Sequence, residues 1–193
     1  MHGSNQPACG AIVVVVGPSG AGKDSVIGYV ARHFEGCGDI GFVTRVITRP
    51  SDAGGEDHDS VSTEEFESQQ AAGGFAVAWQ AHGLHYGIPK AALDSVLAGR
   101  ILIANGSRRA LPQFRAVFPK VSVINVTASP EVLAHRLVQR GRESEADILK
   151  RLQRKVPDIV EDEDVTTIDN SDLLDHAGER FVAHIAAMRA VTT

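Results

Sequence analysis

The sequence predicts an α/β fold, a parallel sheet flanked by helices on both faces. Three features carry that expectation. Residues 11–16 read AIVVVV, the unbroken β-branched run of a strand covered on both sides. A glycine-rich turn and an amphipathic segment follow at once. From residue 101 onward, short apolar runs alternate with helical segments, as crossover connections between parallel strands require. A chain of 193 residues is one domain in length.

The elements follow in order. Residues 1–10 are small and polar and are expected to form a flexible N-terminus. After the strand at 11–16 and its turn, a helix is expected over 24–34. Residues 42–48 (FVTRVIT) read as a second strand, and residues 51–60, with Gly54-Gly55, as a polar loop. Ser62 followed by Glu65 is a capping-box pattern, which opens a short helix ending near Gln70. Residues 76–82 and 84–88 suggest a hairpin around Gly83. Pro89 suits the first turn of a helix that runs to Ala98.

In the second half, strands are expected at 101–104, 121–126 and 165–168. Helices are expected at 111–118, at 130–139 behind an N-cap at Ser129, at 145–155 before Pro157, and at 171–190. The acidic stretch 161–164 reads as a solvated loop.

Composition excludes several classes. Hydrophobic residues make up 43% and charged residues 22%, so the chain is neither collagenous nor disordered. Lys and Arg total 19 against 24 Asp and Glu, a net charge of −5. That argues against a nucleic-acid binder held by bulk charge. The run at 11–16 is far too short to cross a bilayer and lacks the flanks of a secretory signal. Cys9 and Cys37 make neither a disulfide framework nor a metal site. The expectation is a cytoplasmic protein with reduced thiols, with no membrane or nucleic-acid partner and with its oligomeric state, monomer or homodimer, left open.

The strongest signal for chemistry is Gly17, Pro18, Ser19, Gly20, Ala21, Gly22 and Lys23, which fit the G-x-x-x-x-G-K core of a P-loop. Glycines let the backbone curl so that several N–H groups face one phosphate, with the following helix dipole behind them. Lys23 reaches the β- and γ-phosphates of ATP. The position after the lysine departs from the pattern: Asp24 stands where Ser or Thr would bind Mg²⁺, and Ser25 follows. The strand at 101–104 ends in Asn105-Gly106-Ser107, without the acidic residue that usually partners a P-loop. The expectation is that this charge has moved to Asp24, so that Asp24 and Ser25 handle the metal.

Phosphoryl transfer onto another phosphate needs no strong base, because the acceptor oxygen is already ionised. The obstacle is repulsion between two polyanions, so catalysis is positioning plus positive charge. Arginines gather where such a site would form: Arg45 and Arg49, Arg108 and Arg109, Arg140 and Arg142, and Arg151 and Arg154 on one helix face. Of Arg108 and Arg109, one is expected to face the site. Arg49, Arg140 and Arg151 are the main candidates, with Lys23, Arg140 and Arg151 as the catalytic set. His58, His82 and His85 have no metal-binding partner at a recognisable spacing.

At this point the chain resembles a known family. GPSGAGKDS, Thr48-Arg49, Gly55-Glu56, the Ser62/Phe66 segment, HGLHYGIP at 82–89 and RGRESEADILKRL at 140–152 are similar to the guanylate-kinase-like P-loop kinases. The resemblance implies a single kinase domain over 11–193, with an acceptor subdomain near 42–90 and an arginine-bearing lid near 138–157. It departs from true guanylate kinases where guanine is read. The loop after Glu56 (DHDSVS) has no tyrosine, and FAVAWQA before the HG segment has no carboxylate to pair with guanine N–H donors.

GKDS, W-Q-AHGLHYG, Asn105-Gly106-Ser107-Arg108 and RGRE instead resemble the ribose 1,5-bisphosphate phosphokinase branch of the family, associated with phosphonate catabolism. That branch implies ATP and Mg²⁺, and transfer of a phosphoryl group to ribose 1,5-bisphosphate, giving 5-phosphoribosyl 1-diphosphate. Arg49, Tyr86, Asn105 and Arg108 are then expected on the acceptor, and Arg140, Arg142, Arg151 and Arg154 in the lid. The competing readings are a guanylate or other small-phosphate kinase on the same fold, and a non-catalytic binding module.

Overall fold

The computed structural model describes residues 10–50, 57–139 and 164–192. The core sheet is parallel throughout. Its strands are β1 (Ala11–Val16), β2 (Ile40–Phe42), β7 (Ile101–Asn105), β8 (Val121–Thr127) and β9 (Val165–Asp169), in the order β2-β7-β1-β8-β9. β1 lies at the centre with every side chain buried, which is why its sequence shows no polar alternation.

Alternate β1 residues face different layers. Val13 and Val15 pack toward α1 (Lys23–His33) and α6 (Leu174–Thr192), among Val26, Val30 and Phe181. Ile12, Val14 and Val16 pack toward α3 (Lys90–Leu97) and α4 (Leu111–Val117), among Val96 and Phe114. α5 (Pro130–Gln139) adds Leu133 to the first layer. α1 and α6 meet closely: a Cβ built on Gly178 would lie 2.3 Å from the Tyr29 ring. His184 of α6 bonds Ser122 on β8 at 2.9 Å and Thr166 on β9 at 3.4 Å, and burial lowers its pKa. Among the described residues no helix is long and apolar enough to cross a membrane.

A second sheet, ordered β4-β3-β6-β5, is built from β3 (Arg45–Ile47), β4 (His58–Ser60), β5 (Phe75–Ala81) and β6 (Leu84–Pro89). β5 and β6 form the expected hairpin. Its two turn residues, His82 and Gly83, both have positive φ, at 52° and 76°. α2 (Thr63–Ala71) starts in a complete capping box, with Ser62 and Glu65 each accepting the other's backbone N–H. Its Phe66 stacks on Phe75 and His85 to cover one face of this sheet. On the opposite face Trp79 meets Phe114, joining the second sheet to the core.

Two expectations are corrected. Residues 42–48 do not form one strand. β2 ends at Phe42, Val43 still donates to the Ile103 carbonyl at 2.9 Å, and Arg45–Ile47 belongs to the other sheet. The chain changes sheets between them with no glycine or proline to mark the crossing. Residues 58–60, expected in a loop, are strand β4, paired in parallel with β3. The N-terminal segment before Gly10, Gly54, Gly55, Glu56, the expected helix at 145–155 and most of the acidic stretch at 161–164 lie outside the described residues.

Candidate active site

β1 ends at Val16 and α1 begins at Lys23, and the turn between them is held in left-handed geometry by Gly20 and Gly22, at φ 88° and 86°. Gly22 also passes close to Asn170: a Cβ there would lie 2.4 Å from Asn170 Nδ2. Lys23 reaches back across the turn, with Nζ donating to the Gly17 and Pro18 carbonyls at 3.1 and 3.3 Å. Pro18 and Ser19 form the outer part of the turn, and Ala21 is fully buried.

Two residues that the sequence reading passed over brace this turn from behind. Asn170, 3% exposed, donates from Nδ2 to the Ala21 carbonyl at 2.7 Å. Arg136 on α5 donates to the Gly20 and Ala21 carbonyls at 3.4 and 3.5 Å. Loop carbonyls tied outward leave the loop N–H groups to face a phosphate. The available signal for Asn170 was its place just after a core strand, where open parallel sheets bind ligands. Asn170→Ala removes the shorter of the two hydrogen bonds to the Ala21 carbonyl and leaves that from Arg136, a loss of about 1 kcal/mol. The expected result is a lower melting temperature and a KM for ATP raised about tenfold, read by thermal unfolding and steady-state kinetics. Beside the brace lies a cleft of about 420 Å³ lined by Gly20, Gly22, Ser25, Arg136, Gln139, Asn170 and Leu174. Ser25 therefore opens on this side of the loop.

Asp24, one position earlier on α1, faces β7. Asn105, buried at the end of that strand, donates from Nδ2 to Asp24 Oδ1 at 2.6 Å. The strand end thus supplies an amide and the helix start supplies the carboxylate. Among the described residues no three His, Cys, Asp or Glu side chains gather as a metal cluster. One carboxylate beside the Asn105 amide, completed by substrate phosphates and water, is a donor set of the kind Mg²⁺ accepts, whereas Ser25 opens on the other side of the loop. The residues present fit that ion.

The second sheet presents the other wall. Arg49 lies just past β3, half-buried, and its guanidinium donates to His58 Nδ1 at 3.3 Å. His58 Nε2 in turn bonds the Arg49 carbonyl at 3.1 Å, and Ser60 Oγ donates to the same carbonyl at 2.7 Å. One His58 tautomer, accepting at Nδ1 and donating from Nε2, satisfies both contacts. His58 therefore orients Arg49. Tyr86 of β6 stacks on Trp79 at 5.4 Å with 7° between ring planes.

Arg45, 8% exposed, lies over both rings, its guanidinium carbon 5.8 Å from the Trp79 centroid and 5.0 Å from that of Tyr86. Burial pulls its pKa down to about 10, opposed by Tyr86 and Asp24 and reinforced by Arg49. It remains a cation at neutral pH, and the charge of Asp24 is felt from the first sheet to the second.

Arg108, half-buried after β7, donates to Asn125 Oδ1 at 3.2 Å, whereas Arg109 is exposed. His82 sits in the hairpin turn. His85 packs on Phe66 and contacts Gln80, and its backbone N–H donates to Thr48 Oγ1 at 2.9 Å. Cys37 is a free thiol packed against the core beside α1. Arg140, Arg142, Arg151 and Arg154, and with them the expected lid beyond residue 139, lie outside the described residues, as does Cys9.

Comparison with known proteins bears on the same site. The guanylate kinase family model matches residues 10–186. A protein of Agrobacterium fabrum named ribose 1,5-bisphosphate phosphokinase PhnN is 54% identical over 171 residues, 89% of this chain and 93% of the relative. One of Rhizobium etli with the same name is 51% identical, covering 94% of this chain and 92% of the relative. Among solved structures, guanylate kinase from Anaplasma phagocytophilum superposes with a TM-score of 0.67 at 21% identity, covering 96% of this chain and 87% of that one, a likeness of fold. A glycine turn carrying Lys23, set opposite an arginine-lined second sheet and matched over nearly the whole chain, places the protein in the guanylate kinase family, among relatives named ribose 1,5-bisphosphate phosphokinase.

Proposed function

We propose that this protein is a kinase that transfers the γ-phosphoryl group of ATP to the 1-phosphate of ribose 1,5-bisphosphate. An ionised oxygen of the 1-phosphate attacks the γ-phosphorus. The bond from that phosphorus to the β–γ bridging oxygen breaks, and ADP leaves with the oxygen. The products are 5-phosphoribosyl 1-diphosphate and ADP, and no general base is required. The observation that carries this reading is the glycine turn between β1 and α1, with Lys23 Nζ drawn back across it to the Gly17 and Pro18 carbonyls.

In this reading the loop N–H groups and Lys23 hold the ATP phosphates, and the cleft beside Asn170 takes the donor's nucleoside. Asp24, beside Asn105 and followed on α1 by Ser25, would hold Mg²⁺, which would neutralise phosphate charge when bound. Arg49, oriented by His58, grips the acceptor together with Tyr86 and Arg108, while Arg140, Arg142, Arg151 and Arg154 close over the transferring group and exclude water. A pentose bisphosphate suits such a site because it offers phosphates to arginines and no base to read.

The test is a panel of acceptors assayed by ADP release with ATP and Mg²⁺. Ribose 1,5-bisphosphate is expected to exceed guanylate and other sugar phosphates by at least about a hundredfold in kcat/KM. Preferred turnover of guanylate would overturn the assignment.

A further inference from the structure

We infer that Arg45 is an acceptor-binding residue and the one that sets acceptor chemistry: its guanidinium binds a phosphate of the acceptor and denies the pocket an aromatic face for a base. The inference rests on the proposed function and names a determinant within it. Three observations lead to it.

The first is placement. Arg45 and Ile47 alternate on β3, and Ile47 is in register with Tyr86, which is in register with Trp79. Residues in register, and residues two apart on a strand, share a face. Arg45, Tyr86 and Trp79 therefore stand on the face turned to the core, where Trp79 meets Phe114. The charge of Asp24, at the head of α1, acts on Arg45 there.

The second is convergence of like charge. Arg45 is in register with His58 on β4, and His58 holds the Arg49 guanidinium. The fold thus brings two cations toward one histidine on one side of the sheet. Like charges so placed oppose each other, and a phosphate dianion arriving between them turns that opposition into binding. Burial strengthens the effect, because Arg45 is only 8% exposed and a phosphate there meets little competing water.

The third is what Arg45 covers. Trp79 and Tyr86 stack, with 5.4 Å between ring centroids and 7° between ring planes. A ring of such a stack left uncovered is a face on which a base can stack. With the guanidinium lying over both rings, the wall offers a fork of donors instead of a π face. Selection against nucleotides then comes from an occupied platform as well as from the missing carboxylate before the HG segment.

Trp79 is the single tryptophan of the chain, so binding at Arg45 has its own optical readout. The full-length protein is titrated with ribose 1,5-bisphosphate without ATP, and Trp79 emission is followed. Wild type is expected to give a saturable change, and Arg45→Gln to shift its midpoint at least tenfold while the KM for ATP stays within twofold. A purely structural role would instead move the melting temperature and both substrates together.

Arg45→Lys keeps the charge and loses the fork, and an intermediate midpoint is expected. It carries the test if the glutamine variant does not fold. A wild-type midpoint in either folded variant, or no change in Trp79 emission at acceptor concentrations that saturate turnover, overturns the inference. Wild-type preference for a purine monophosphate overturns the proposed function and, with it, the denial of a base, leaving only the phosphate contact of Arg45 to be tested. The same titration with that nucleotide then decides Arg45 by the same midpoint criterion.

Discussion

Lys23→Ala is expected to abolish turnover and leave the fold intact. Lys23 stands at the first position of α1, with its ammonium carried back to the Gly17 and Pro18 carbonyls at the opposite end of the turn. From there it is the one P-loop side chain able to put a full positive charge on the phosphates whose charge grows in the transition state. Loss of a preorganised donor of this kind costs about a thousandfold in rate, or about 4 kcal/mol. The cost to stability is smaller, because each hydrogen bond given up is worth about 1 kcal/mol. ADP release and a thermal melt on the same sample separate the two effects. Activity within tenfold of wild type would remove the P-loop from the mechanism.

Asp24→Asn is expected to change how the enzyme depends on Mg²⁺. The substitution keeps the shape and the capacity to bond Asn105, but removes the carboxylate charge that the strand end lacks. Loss of a metal-orienting group generally costs 10- to 100-fold in metal affinity, so the Mg²⁺ concentration for half-maximal rate is expected to rise by about that factor. The swap of Asp24→Asn with Asn105→Asp returns one carboxylate to the same pair from the other side. It should recover part of the lost affinity if the charge, rather than its address, is what matters. Mg²⁺ titrations of turnover that superpose for wild type and Asp24→Asn would exclude Asp24 from the metal site.

The elements of the core were legible in the sequence because burial wrote them there. A strand covered on both faces, as β1 is, must be apolar throughout, and the capping box of α2 is a local pattern that needs no tertiary context. The crossing at residues 43–44 was not legible, because FVTRVIT is equally β-prone on either side of it and only the partners differ, β7 for Phe42 and β6 for Ile47. Arg45 was among the gathered arginines but was not singled out. An arginine reads as a surface residue until the face of its strand is known, and that face is set by pairing with residues some forty positions away. Asp24 and Asn105 could be suspected separately, one for being acidic and the other for not being so. Their direct bond spans 81 positions, and spacing along the chain does not encode it. Asn170 and Arg136 were passed over because they touch the loop's backbone from behind, and no motif records a side chain whose partner is a carbonyl.

The tight contact at Gly178 constrains how this family member can drift. No methyl fits between α6 and Tyr29, so nearly every replacement at that position must push the phenol ring, and with it the middle of α1, aside. Such a push is felt at both ends of the wedge: at Lys23, which heads α1, and at Asn170, four residues before α6 begins. A position remote from every reactant is thereby tied to catalytic fitness through rigid-body leverage, and its tolerance of mutation should look like that of a residue in the pocket.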